Sequence, residues 1–572
     1  MLMPARTATQ LLRPPATVMR LQRLGSFHQT RLSFMRCLLR RIAQEDWRLT
    51  RALFELDANG YGTVVYRVKT PVGSCSLVGF SRQLEPEERN DRVIAEKWDT
   101  TFTLLLGEPD ADDIERLRAN VPLQEAGRVS ARECVLSRAN KSVRLFEYVV
   151  DCLAQGYQPN LQNIAAVGYL MRTTAVYGNG KFGLSDLSNT FAGGLFRRPF
   201  EAEMLTVYLI REFTLDLVEH IAAQRAPGQA VRLAVRQRRS FGIGNSTGLG
   251  MAPFLIAHPG LFHRWVYARE TAIARVLALP AAEPAERAAF DRLLKQAARH
   301  VAEWHTGDSR QAARITRLQQ ELRDLSRQMN EDELLTGSYP WQRLQALAAA
   351  QYSEEMQELL HSLMIEPYGE LVDELADTMA DSERPVFNPA LQLAALCTLI
   401  EQHYDWALAL DFTQPDAEHF FWYRSQEKEE PRLGERHQEP GADKEMRLGI
   451  ARDVQQLYQE LTAADPTESV AVFLLRQPRW RYLIRRLQLV ANHPYAEIRD
   501  NLLAADCLAV DLLRCKLSFF GAVKFDPRSD RWTRITMYQG APCFAELKPD
   551  NADAWVLPVL SEDSALLADA AG

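Results

Sequence analysis

The sequence predicts a predominantly α protein with a smaller antiparallel β component, an α+β fold with a large helical body and β-rich N- and C-terminal regions. Two observations predict it. Most of the chain between residues 110 and 516 repeats apolar residues at three- and four-residue intervals, the period of a half-buried helix. Short β-branched runs lie near the two ends, at residues 61–68, 74–80 and 99–106 and again at 517–525 and 532–538. A lone two-stranded hairpin is marginal in water, so the C-terminal pair needs the N-terminal strands as its partner.

At 572 residues the chain has material for several cores, and 47% hydrophobic with 25% charged residues is an ordinary globular balance. A net charge of -7 argues against a general nucleic-acid binder. The 8 cysteines form no CxxC pair and no zinc spacing with histidine, which points to a reducing compartment and no metal site. No apolar run reaches the length of a membrane span.

Residues 1–46 are read as a basic N-terminal segment. Up to Gln44 it holds eight arginines and no acid, the composition of a mitochondrial transit peptide or of a bacterial chain with an early start codon. Within it, Leu32, Met35, Leu38, Leu39 and Ile42 share a helical face, so a docking helix is expected. The first eighteen residues carry no packed pattern and Pro14-Pro15, and are expected to be dispensable. The Ala/Leu/Arg-rich style of the chain favours a bacterial cytoplasm, with the mitochondrial matrix as alternative.

Residues 47–127 form a small α/β region with an antiparallel hairpin. Residues 128–280 follow as a helical core with glycine-rich loops, with helices expected over 130–154, 160–177 and 201–223. A glycine-rich segment starts at Arg172 and holds Tyr177, Asn179 and Lys181, and the connection between the last two helices is unusually long, from about Tyr177 to Arg198. Helix connections are ordinarily a handful of residues, and long structured loops are disproportionately functional.

The most suggestive stretch spans residues 231–276. An alternating segment at 231–235 reads as a strand. A basic cluster follows, Arg236, Arg238 and Arg239, then a loop with Gly242, Gly244, Gly248 and Gly250 around Asn245, Ser246 and Thr247, and then an apolar helix. Strand, glycine-rich loop and helix are the parts of an anion site, because backbone N–H groups and a helix N-terminus face the ligand. The spacing is neither a P-loop nor a dinucleotide fingerprint. A tight turn with a Ser/Thr cap explains the same residues without a ligand.

Residues 281–384 read as long charged helices, with Ile315, Leu318, Leu322 and Leu325 as a hairpin or short coiled-coil seam. Residues 385–500 continue helically around a polar loop at 424–445. There Arg424, Lys428, Arg432 and Arg436 are offered either to solvent or, as a lid, to an anion. Residues 501–550 hold a helix and the C-terminal hairpin, and 551–572 an acidic tail with a disordered end.

Three separated segments, 172–190, 236–251 and 424–436, thus concentrate basic with glycine or small polar residues. Their convergence would make an enzyme pocket for a phosphate- or carboxylate-bearing small molecule or coenzyme, a nucleotide-like ligand included. Arg172, Asn179, Lys181, Arg238, Arg239, Gly244, Asn245, Ser246, Thr247, Gly248, Arg424 and Arg432 would bind, and Tyr177 and His258 would be the acid/base candidates. The residues name no cofactor, no metal, no specific nucleic acid and no reaction type, and they are compatible with an oligomer. The rival reading is a non-enzymatic helical scaffold or regulator that uses the charged helices as partner surface.

Overall fold

Strand β4 (Thr100–Leu106) shows how one half of the chain is organised. Its residues alternate between two sheet faces. Phe102 packs edge-on against Phe213 of the helix Glu201–Arg225, with ring centroids 5.4 Å apart. Leu105 points to the opposite face and joins Val65, Val78, Leu117 and Leu136 in a second apolar layer. The computed structural model describes residues 7–84, 97–123, 130, 132–173, 194–248, 259–304, 306–331, 334–379, 387–414, 422–425, 431–433, 445–448, 450–499, 509–521, 523–527 and 532–558.

Strands β1 (Arg48–Leu56), β2 (Gly62–Thr70), β3 (Gly73–Ser81), β4 and β5 (Glu133–Lys141) form an antiparallel meander. Strand β6 (Tyr169–Thr173) pairs antiparallel with β5 and parallel with β7 (Gly242–Gly248). The order is completed by β12 (Trp532–Met537) and β11 (Lys524–Pro527) at the far edge, nine strands among the described residues. A separate three-stranded sheet holds β8 (Trp422–Ser425), β9 (Pro431–Leu433) and β10 (Glu445–Leu448).

Two compact units divide the chain. One comprises Met1–Phe27, Gly248–Asp291 and Asp324–Phe519, and is helical apart from the three-stranded sheet. The other comprises His28–Thr247, Arg292–Arg323 and Phe520–Gly572, and contains the nine-stranded sheet. Among the described residues no helix is long and apolar enough to cross a membrane.

The fold corrects the sequence expectation in several places. The sheet is mixed rather than antiparallel, because β6 and β7 run in the same direction. The C-terminal region is not β-rich: it supplies two strands of four and six residues to the edge of a sheet built by the N-terminal part. The expected helix over 130–154 is a strand followed by the helix Phe146–Ala154, since short apolar runs fit either period. The expected helix over 160–177 ends at Val167, where Gly168 takes a left-handed conformation with φ 86°, and β6 begins at Tyr169. Residues 231–235 form no strand; Val235–Ser240 is a short helix, and the glycine-rich stretch itself is β7.

The glycines of β7 are there for close approach. A Cβ on Gly242 would lie 2.3 Å from the Met537 carbonyl oxygen, and one on Gly244 would lie 2.4 Å from the Tyr169 ring.

Among the described residues, much of the basic N-terminal segment from Leu11 onward is buried rather than peripheral. In the first unit Arg13 is 9% exposed, and Val18, Met19, Leu21 and Leu24 are sealed from solvent. The Arg13 guanidinium donates to Glu270 at 2.7 Å and to Glu358 at 2.6 Å. Burial works against its charge, but Glu270 and Glu358 hold its pKa above the ordinary arginine value. In the second unit the helix Phe34–Gln44 buries Arg36, Arg40 and Arg41. Arg41 donates to Glu201 at 2.6 Å, and Arg36 and Arg40 share Asp553.

This packing reverses the expected dispensability of residues 1–18. A chain starting at Met19 leaves the buried Glu358 and Glu270 without Arg13, a change of the kind that costs about 3–5 kcal/mol. Thermal melts of the full and shortened chains check this, and equal midpoints would refute it.

Candidate functional site at the carboxyl ends of β6 and β7

The parallel pair β6 and β7 organises the candidate site. Tyr169 lies opposite Gly242 and Arg172 opposite Gly244. Parallel neighbours require a long crossover, and here it contains the helices Glu201–Arg225 and Val235–Ser240. The first of these packs on β4, β5 and β6. Both strands therefore end at one edge of the sheet, and in sheets with parallel strands ligands bind outside the carboxyl ends.

The end of β6 is polar. The Thr173 and Ser137 hydroxyls are 2.8 Å apart across β6 and β5. Half-buried Arg172 stands one residue earlier, opposite Asn140 of β5. A returning helix runs against the strands, so the helix Glu201–Arg225 begins at this same edge. Its first carboxylate serves the fold: Glu201 accepts the backbone N–H groups of Arg197 at 2.7 Å and Arg198 at 3.2 Å, as well as Arg41. The positive end of the helix is thereby met from within the chain.

Glu203, one turn in, is different. It is 4% exposed, and burial raises its carboxyl to about 7, offset by its own backbone N–H. Near it Cys134, at the start of β5, is pushed up to about 12 by burial and then by Glu203, so it stays a thiol. Glu212, two turns further along, is raised to about 6 by burial, against the pull of Arg211 and Arg238. Glu203 is thus a group that exchanges a proton near neutral pH at the strand-end side of the helix.

The basic residues singled out in the sequence have varied fates. Arg238 donates to Glu219 at 2.9 Å and lies 3.8 Å from Asp216. Arg239, 41% exposed, pairs with Glu546 at 3.1 Å, and its carbonyl accepts the Gly540 N–H. Both tie the crossover to its surroundings. Gly244 and Gly248 lie in β7, and so does the backbone of Asn245, Ser246 and Thr247. Tyr177, Asn179, Lys181 and His258 lie outside the described residues. Arg424 is in β8 and Arg432 in β9, paired opposite Pro431 and Tyr423 respectively, in the other unit from Arg172 and Arg239. Of the three segments, only the described parts of the first two are neighbours: Arg172 and Thr173 in β6 beside residues 242–248 in β7. Among the described residues no three His, Cys, Asp or Glu side chains gather as a metal site.

Sequence reasoning missed Arg211 and Glu203. Arg211 is 1% exposed and donates to four backbone carbonyls, those of Phe241 (2.7 Å), Pro542 (3.1 Å), Arg238 (3.2 Å) and Ala541 (2.7 Å). It fastens the C-terminal segment to the start of β7. The available signal was a charged residue inside the apolar run TVYLIREF, where a solvent-facing helix would show a polar stripe.

No known family, curated protein or solved structure matches this chain.

Two outcomes follow from this geometry. Gly244→Ala should destabilise the folded chain in the absence of any ligand, because the added methyl overlaps the Tyr169 ring; a variant with an unchanged melt would contradict that packing. Glu203 binds its proton more tightly folded than unfolded, so its contribution to stability should fall as pH rises from the ordinary 4.5 to about 7. In Glu203→Gln the melting temperature should decline less over that window than in the parent, and identical pH profiles would show that Glu203 does not titrate there.

Proposed function

We propose that the chain is an enzyme acting on a phosphate- or carboxylate-bearing small molecule or coenzyme, held at the carboxyl ends of β6 and β7. The observation that carries this reading is the parallel pairing of Arg172 with Gly244. It sets β6 and β7 side by side, with the backbone of Asn245 in β7 and the stretch that contains Lys181 following β6 in sequence. Arg172 supplies a guanidinium fork suited to an anionic oxygen pair. Glu203 supplies a carboxyl whose proton is exchangeable at neutral pH, the property a general acid or base requires. The segment 424–436 is no part of this proposal.

The test is a thermal-shift panel of nucleotides, coenzymes and organic acids, followed by variants against whichever compound stabilises the chain. Arg172→Ala should weaken binding by about 1.5–3 kcal/mol, the range for hydrogen bonds to a charged group, and Arg172→Lys should recover part of it. Full ligand stabilisation in Arg172→Ala, Lys181→Ala and Asn245→Ala together would remove the site from this edge.

A further inference from the structure

A cluster of buried polar side chains lies in the unit that contains the nine-stranded sheet, just before the helix Phe34–Gln44. Gln29 is 2% exposed, and Thr30 and Ser33 are completely buried. The Gln29 amide oxygen and nitrogen and the Thr30 and Ser33 hydroxyls are all without a hydrogen-bond partner. Ser33 is the N-cap residue of the helix, the position at which serine ordinarily accepts from the first turn, yet its hydroxyl makes no capping bond. Two of these groups converge on Gly521. A Cβ placed there would lie 2.8 Å from Ser33 Oγ and 3.1 Å from Gln29 Oε1. Gly521 has φ +92°, so the chain both requires glycine there and keeps a side chain out of the cradle.

Four unpaired polar atoms within five residues of sequence are far more than a packed interior leaves orphaned, since buried polar groups are nearly always satisfied by protein or by bound water. We propose that Gln29, Thr30 and Ser33 line an internal binding site, closed on one side by Gly521. Its ligand is a small neutral molecule that both donates and accepts hydrogen bonds, either water or a solute of the same chemistry. The side chains themselves set that class. An amide and two hydroxyls offer donors and acceptors without net charge, and the adjacent Arg36 guanidinium is paired with Asp553 at 2.9 Å.

The near-isosteric variants Thr30→Val and Ser33→Ala of the full chain test it by sign. An occupied site loses a hydrogen bond in each, and the melting midpoint falls by about 1–3 °C. In an empty cradle the removed hydroxyl was an orphan, and the midpoint rises. Oxygen-17 water relaxation dispersion then separates the sources. Loss of slowly exchanging water in Thr30→Val, with retention in Thr30→Ser, identifies water. A saturable stabilisation by acetamide or ethylene glycol that disappears in Thr30→Val identifies a solute. Midpoints that rise or stay unchanged would overturn the proposal. So would a fall accompanied by neither signal, because it would then report packing alone.

Discussion

Arg13 is held between Glu270 and Glu358, whose carboxylates are almost wholly buried. Removing ions from water is expensive, and a buried pair is tolerated only when partners and hydrogen bonds are complete. Here they are numerous. Arg13 also lies 3.1 Å from His361 Nδ1, and its carbonyl accepts the Tyr495 hydroxyl at 2.7 Å. Arg269 donates to Glu270 at 2.8 Å and to the Leu24 carbonyl at 2.6 Å. Burial pulls the Glu358 carboxyl up, but Arg13 holds it well below the usual range. Burial, followed by Arg13, lowers His361, so it stays neutral and accepts from the guanidinium. The arginine-rich N-terminus is therefore internal counter-charge. The two glutamates that pair with Arg13 sit 257 and 345 residues away in sequence, so this unit closes only when distant parts of the chain have met. The second unit uses the same device in Arg41 with Glu201.

What the sequence made legible follows the strength of local periodicity. Strands β2, β3 and β4 were readable because β-branched and aromatic residues alternate between clear turns, Asp57–Gly60 among them. There the Asp57 carboxylate accepts the Asn59 and Tyr61 N–H groups, and Gly60 takes φ 81°. The helix Glu201–Arg225 was readable from its spacing. Strand β5 was not, because residues such as Cys134 and Val135 suit a helix equally well until β4 supplies hydrogen-bond partners. Strand β7 was hidden for a different reason. Glycines are poor strand formers alone, and only the ring of Tyr169 and the backbone at Met537 explain why nothing larger fits.

The candidate site was legible in its chemistry and illegible in its placement. Arginines beside glycines suggested an anion, but no local pattern shows which of them already answer a carboxylate. Arg238 and Arg239 answer carboxylates of their own unit, as do Arg13 and Arg41 elsewhere. Arg172 gained its position through a parallel pairing that no local pattern announces. Glu203 entered through burial alone, since a glutamate in the first turn of a helix is ordinarily a solvated partner of the helix dipole. Both residues acquire meaning from the crossover between β6 and β7.

The counter-charge account is tested most directly by comparing Arg13→Met with Arg13→Met/Glu358→Gln in equilibrium unfolding at neutral pH. Glu270 keeps Arg269 in both variants, so the comparison isolates the Glu358 charge. The single variant should lose about 3–5 kcal/mol, because Glu358 is left as a buried carboxylate without its principal partner. Neutralising that carboxylate should restore a substantial part of the loss. A single variant as stable as the parent, or a double variant no more stable than the single one, would contradict the account.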